Sequence, residues 1–231
     1  MFGRIAHRYD LMNRLMSMGL DGGWRRLAAR ETQLEPGDRG LDVASGTGDL
    51  AFEMAKRVGQ TGFVMCIDIA RQMLVLGNAK SRQRNEHRVD HHEGDAMRLP
   101  YGDGVFRAAT MAFGGRNVPD LTGAFREMSR VLAAGGRAVF LELNRPRLWG
   151  FRHLFDFYFH RFSPLVGGFI SGDRAAYEYL PRSVDHFESV EEISRCMRDA
   201  GLSDIKVRRL MFGACNIHVG IKPGVGAQAA P

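Results

Sequence analysis

Leu41-Asp42-Val43-Ala44-Ser45-Gly46-Thr47-Gly48-Asp49-Leu50 decides the reading of this chain. Gly40 to Ala44 reads as a short buried strand, Ser45 to Gly48 as a glycine loop, and Asp49 to Val58 as a helix with Leu50, Met54 and Val58 on one face. Glycines at a strand-to-helix turn let the backbone bend tightly and let a ligand come close to it. The text also satisfies a dinucleotide pattern, Gly46-x-Gly48-x-x-Ala51, with Asp68 about twenty residues on. Charge separates the two possibilities. A pyrophosphate prefers a helix N-terminus without competing anions, and here Asp42 and Asp49 flank the loop. Two such acids repel a dinucleotide and attract a ligand bearing an ammonium and a sulfonium. S-adenosylmethionine has both, and its ribose diol suits Asp68 as an acceptor. Asp49 alone would be an ordinary helix-start residue. The joint spacing of strand acid, glycine loop and second-strand acid carries the ligand reading.

Outward from this stretch, apolar strands alternate with helices. Phe63 to Ile67 is a second strand, ended by Asp68; 70–84 is a helix; Val89 to Glu93 and Val105 to Phe113 are further strands. A helix over 121–132 is stopped by Gly135-Gly136, and Arg137 to Leu143 is a fifth strand. Such alternation gives a doubly wound α/β fold with a mostly parallel, seven-stranded sheet. Ser189-Val190-Glu191-Glu192 is a capping box opening a last helix that Gly201 ends. Ile205 to Val207 and Asn216 to Ile221 close the sheet as a pair.

Residues 1–36 are expected to form a helical cap, 37–223 the main domain, and 224–231 a disordered tail. An insertion over 146–187 interrupts the alternation with Trp149, Phe151, Phe155, Phe157, Tyr158, Phe159, Phe162 and Phe169. It is placed as an aromatic helical cap over the carboxyl ends of the strands, where open α/β sheets bind ligands.

Composition narrows the rest. The chain has 231 residues, 45% hydrophobic and 25% charged, which suits a folded globular domain. No apolar run approaches the ~18 residues of a membrane span, and the charged MFGRIAHRYD start lacks a secretory apolar core. Three widely spaced cysteines, Cys66, Cys196 and Cys215, fit a reducing cytoplasm better than disulfides or zinc. The histidines His91-His92 lack a third partner at metal-ligand spacing, so no metal is expected. The net charge of +6 fits nucleic acid, an anionic membrane face, or solubility charge spread over helix faces.

The motifs together resemble the class I S-adenosylmethionine-dependent methyltransferases, and more closely the ubiquinone/menaquinone biosynthesis C-methyltransferases. The resemblance is carried by Ile5-Ala6-His7-Arg8-Tyr9-Asp10-Leu11-Met12-Asn13, the glycine loop, and Phe113-Gly114-Gly115-Arg116-Asn117-Val118. Tyr177-Glu178-Tyr179-Leu180 with Ser183-Val184, and His218-Val219-Gly220-Ile221-Lys222-Pro223, complete it. It implies a Rossmann-like fold and methyl transfer to the ring of a prenylated quinol, of the demethylmenaquinol or 2-polyprenyl-6-methoxy-1,4-benzoquinol type. The cofactor implied is S-adenosylmethionine, held by Asp42, Ala44, Gly46, Thr47, Gly48, Asp68, Ile69, Asp95, Ala96 and Ala112. Phe113, Tyr177 and His218 are placed against the acceptor, and Arg116, Asn117 and Tyr9 at the chemistry. Family members usually read FGLRNV, where Gly115 here replaces the leucine. A family serine is Ala112, and the usual apolar GIVALH stretch is Gly213-Ala214-Cys215-Asn216-Ile217-His218.

A phenol ring carbon becomes a good nucleophile once a ring hydroxyl loses its proton. A guanidinium such as Arg116 lowers the phenol's pKa but is too basic to take the proton itself. Asn117 is placed to bind a ring oxygen. His218 is a candidate base, with Glu142 and Asp173 after it. Tyr9 is either a pocket wall or a packing residue. The partners expected are the prenylated quinol, a lipid surface met through 148–170 on the inner face of the cytoplasmic membrane, and a second copy of the chain in a homodimer. Nucleic acid is not among them. The competing functions are methyl transfer to another small apolar acceptor and a non-catalytic cofactor-binding subunit of a quinone-synthesis complex.

Overall fold

Seven strands lie side by side in the order β3-β2-β1-β4-β5-β7-β6. They are β1 (Arg39–Val43), β2 (Phe63–Asp68), β3 (Val89–Glu93), β4 (Phe106–Ala112), β5 (Leu132–Leu143), β6 (Ser203–Leu210) and β7 (Cys215–Ile221). The first five are parallel; β7 runs antiparallel to both β5 and β6. The computed structural model describes residues 14, 17–146, 148–158 and 187–224. Most of the expected cap over 1–36 before residue 17, most of the insertion over 146–187, and the tail from 225 lie outside the described residues.

The helices are α1 (Asp21–Glu31), α2 (Asp49–Val58), α3 (Arg71–Gln83), α4 (Leu121–Val131), α5 (Trp149–Phe157) and α6 (Val190–Asp199). In α2 the residues Leu50, Met54 and Val58 are fully shut off from water, the stripe that a 3.6-residue period demands. Each such side chain contributes about 1.5–3 kcal/mol on burial. They join Trp24 and Ala28 of α1 on one face of the sheet. Phe125 and Met128 of α4 and Ile193 and Met197 of α6 cover the other.

One boundary departs from the sequence reading. Strand β5 begins at Leu132, five residues before Arg137, and Gly135-Gly136 do not stop a helix. Helix α4 ends at Val131 because Leu132 is already extended (φ −74°, ψ 140°). The Lys222 ammonium then donates to the carbonyls of Arg130 (3.0 Å) and Leu132 (2.6 Å), satisfying the helix end from β7's far side. The glycines sit in a bulge, where Leu132 pairs with Phe106 and Arg137 with Ala108. None of the described helices is long and apolar enough to cross a membrane.

Candidate functional site

Strands β1 and β4 are neighbours whose connections leave in opposite directions, β1 toward β2 and β4 toward β5. A crevice therefore opens at their carboxyl ends. Both strands finish in the same unusual way. Ala44 after β1 has φ +50° and Phe113 after β4 has φ +57°. Left-handed non-glycine residues are strained and are kept where the surroundings enforce them. Between them Gly114 passes so close that a Cβ on it would stand 2.7 Å from the Cβ of Ala44. These turns floor a cavity of about 350 Å³.

The glycine loop closes one side. Gly46 and Gly48 have φ +57° and +82°, and a Cβ on Gly48 would meet the His91 ring at 2.8 Å. The loop is clamped from β2: Gly46 N donates to Asp68 Oδ2 and Ala70 N to Asp68 Oδ1, each at 2.8 Å. Burial pushes the Asp68 carboxyl above its ordinary range, and the amides of Ala70, Gly46 and Ile69 pull it back. Ile69 projects beside it, 75% exposed. Asp95 and Ala96 line the cavity after β3, and Phe113 and Asn117 line it after β4. Ala44, Gly46, Asp68, Ile69, Asp95, Ala96, Phe113 and Asn117 of the residues singled out from the sequence thus come together.

Others do not line it. Thr47 and Gly48 of the loop and Ala112 at the end of β4 are not among the lining residues. Asp42 is buried in the sheet, where Thr110 Oγ1 donates to its Oδ1 at 2.7 Å. Burial, the largest influence, pushes its pKa up to about 7. Asp49 accepts from Lys80 Nζ at 2.9 Å, and the same ammonium donates to Thr47 Oγ1 at 2.7 Å. The two acids expected to fence the loop are therefore one shielded carboxyl and one neutralised by an ion pair from α3. The acids that face the cavity are Asp68 and Asp95.

His218 also lies elsewhere. Its Nε2–H donates to Val190 O at 3.2 Å, and its ring packs on Phe140. Burial pushes its pKa down to about 4, so it is a neutral core residue at physiological pH. The Arg116 side chain turns into the protein, with Nε 3.3 Å from Glu142 Oε1 and Nη2 donating to Phe113 O at 3.4 Å. Tyr9 and Tyr177 lie outside the described residues. The sequence reading missed Ala70, Met73, Gly94, Met97, Gly114, Val118 and Pro119 as lining residues. Adjacency to Ile69, Asp95-Ala96, Phe113 and Asn117 was signal enough for all but Met73, which reads as core on α3. Among the described residues no three His, Cys, Asp or Glu side chains gather as a metal site.

This sheet order, with a glycine loop and a strand-end acid around a crevice at β1 and β4, defines the Rossmann-like fold of class I methyltransferases. Two solved structures share the fold. A possible histamine N-methyltransferase from Thermotoga maritima aligns with TM-score 0.67 at 21% identity, over 96% of this chain and 97% of that one. A SAM-dependent methyltransferase from Aquifex aeolicus aligns with TM-score 0.62 at 18% identity, over 85% and 88%. The chain belongs to the ubiE/COQ5 methyltransferase family, whose profile matches residues 1–222. It is 44% identical over 222 residues to a protein of Deinococcus radiodurans named demethylmenaquinone methyltransferase, covering 96% of this chain and 91% of that protein. It is 44% identical to a Thermus thermophilus protein of the same name, covering 96% and 100%. A Geotalea uraniireducens protein named ubiquinone/menaquinone biosynthesis C-methyltransferase is 40% identical, covering 96% and 94%.

Proposed function

We propose that this methyltransferase uses S-adenosylmethionine to methylate a ring carbon of a prenylated quinol. The near full-length kinship to demethylmenaquinone methyltransferases supports a naphthoquinol acceptor. The observation that carries the cofactor is Asp68. After accepting from Gly46 and Ala70, its two oxygens keep lone pairs for a ribose diol. The close approach of Gly114 to Ala44 leaves a cradle that any side chain would fill. Ile69, Asp95 and Ala96 supply an apolar face and an acceptor for a base edge, and the Gly46 turn admits the amino-acid end.

When bound, S-adenosylmethionine supplies the electrophilic methyl group. The chain's own residues align the acceptor, an effect worth roughly 7–11 kcal/mol when two reactants are held in near-attack geometry. Asn117 binds a ring oxygen and Phe113 packs on the ring; Arg116, placed at the chemistry from the sequence, points inward onto Glu142 and braces the turn that presents Asn117.

A long prenyl tail also calls for a lipid surface, on the inner face of the cytoplasmic membrane. Exposed Leu148 and Phe157, on and just before α5, lie in the stretch 148–170. The turn between β6 and β7 adds Phe212, 65% exposed, whose ring stands 5.1 Å from that of Phe151. Such aromatics beside Arg152 suit an anionic interface.

The test is mass analysis of demethylmenaquinol and its benzoquinol counterpart after incubation with protein and cofactor, together with equilibrium binding. A gain of one methyl on ring carbon is expected. Asp68→Ala is expected to weaken S-adenosylmethionine binding at least about tenfold, or about 1.4 kcal/mol. Tight NADH binding, or no methyl gain on either quinol, would overturn the proposal.

A further inference from the structure

On its cavity side the glycine loop is held by Asp68, which accepts from Gly46 N. On its other side it meets helix α3 and strand β3. Two side chains there are bound up with the loop, and neither lines the cavity. Lys80, on α3, donates to Thr47 Oγ1 at 2.7 Å and to Asp49 Oδ1 at 2.9 Å. His91, on β3, is buried, and its Nε2 stands 3.2 Å from the hydroxyl of Ser81, the residue after Lys80.

The His91 ring lies where two glycines leave room for it. A Cβ on Gly48 would stand 2.8 Å from its Cε1, and a Cβ on Gly77 would stand 2.7 Å from its Nδ1. Gly77 is inside α3, where glycine is destabilising relative to alanine, and the ring supplies the reason for it. Phe52 of α2 closes a third side, with ring centroids 6.5 Å apart. A flat ring is thus wedged between the last glycine of the loop and the helix that carries Lys80. Close-packed interiors transmit displacements of this kind. A ring pushed off α3 moves into Gly48, and a ring removed leaves a hole behind the loop.

The ring acts by shape and not by charge. Burial is the largest influence on its pKa and holds it below the ordinary histidine range; Asp90 opposes this, while His92 and Lys80 add to it. Its Nδ1 is buried without a hydrogen-bond partner, so packing and the one contact with Ser81 fix its place.

We propose that His91 is a positioning residue for the cofactor, clamping the glycine loop from behind together with Lys80. The clamp keeps Gly46 N on Asp68 and the Gly46 turn open to the amino-acid end of S-adenosylmethionine. The inference rests on the cofactor reading above. The two parts differ in kind. Lys80 ties Thr47 and Asp49 by hydrogen bonds and cancels the charge of Asp49, whereas the His91 ring sets how far Gly48 stands from α3. Neither side chain touches the reacting atoms, so their loss is felt in cofactor binding and not in the chemical step.

Calorimetric titration with S-adenosylmethionine, steady-state kinetics with the quinol, and amide hydrogen exchange of the full chain test the clamp. His91→Ala is expected to weaken cofactor affinity at least about tenfold and to raise its KM in parallel, with kcat at saturating cofactor within about twofold. Exchange at the Gly46 and Gly48 amides, which donate to Asp68 Oδ2 and Ser45 O, should quicken while that of β1 and β4 does not. Gly77→Ala, which presses the ring toward the loop, should weaken binding at least about threefold in the wild type and not at all in the His91→Ala background. Equal losses in both backgrounds overturn the proposal, as does wild-type affinity in His91→Ala or a fall in kcat with affinity unchanged. Failure of the wild type to bind S-adenosylmethionine would instead sink the cofactor reading. Should His91→Ala not fold, Gly77→Ala and Lys80→Met decide. Lys80→Met keeps the stem of a partly exposed side chain and gives up its bonds to Thr47 and Asp49. Weaker cofactor binding with kcat kept in both variants supports the clamp, and unchanged affinity in either overturns it.

Discussion

Asp42 and His218 show how position turns a titratable residue into a structural one. Both were candidates for ligand contact, and both are buried in the sheet. Their pH effects oppose each other. The folded-state pKa of Asp42 is raised from 3.8 to about 7, so its contribution to stability is full below pH 3.8 and lost as the pH rises to about 7. That of His218 is lowered from 6.5 to about 4, so its contribution is present above pH 6.5 and lost as the pH falls to about 4. Between pH 4 and 6.5 the two largely offset. Asp42→Asn keeps an acceptor for Thr110 and removes the carboxylate. It is expected to be more stable than wild type at pH 8 by roughly 1–3 kcal/mol. It should also lose melting temperature on acidification from pH 6.5 to 4, where the wild type changes little. Parallel melting curves for the two proteins across that range would contradict the burial argument. Neither placement is legible in the sequence, because an acid at a strand end and a histidine on a strand face either a cleft or a core according to the neighbouring strands.

Elements with a strong local signal are legible. The period of Leu50, Met54 and Val58 and the apolar run Phe63 to Ile67 locate α2 and β2 to within a residue. The capping box of α6 is present as read: Ser189 Oγ accepts from Glu192 N at 3.3 Å, and Ser189 N donates to Glu192 Oε2 at 2.7 Å. Ser189→Ala is expected to cost about 1 kcal/mol in thermal or urea unfolding, with cofactor affinity unchanged. A loss well below that figure would mean that packing of Ile193 and Met197 alone holds the helix. The start of β5 is not legible. A Gly-Gly pair after a helical pattern is a normal stop signal, and only the pairing of Leu132 with Phe106 and the reach of Lys222 to the α4 carbonyls overrule it.

At the scale of the whole molecule, the +6 charge and the exposed Leu148, Phe157 and Phe212 belong to one proposed behaviour, reversible contact with anionic lipid. Phe212→Ser is expected to reduce sedimentation with phosphatidylglycerol vesicles several-fold while leaving turnover of a short-tailed quinol unchanged. Raising salt from about 0.1 to 1 M, which shortens the screening length from about 10 to 3 Å, should weaken wild-type association as well. Equal vesicle binding by variant and wild type would remove this surface from consideration. The sequence by itself determined the order of strands and helices, the glycine loop and the acid that follows β2, because periodicity, glycine freedom and loop spacing act over a few neighbouring residues. The tertiary structure alone decided which charges face the crevice. Lys80 reaches Asp49 and Thr47 from a helix more than thirty residues away, and Arg116, in the turn after β4, meets Glu142 on the neighbouring β5. Charge is felt through space, so its balance at a site is set by what the fold brings near, not by what the chain places next.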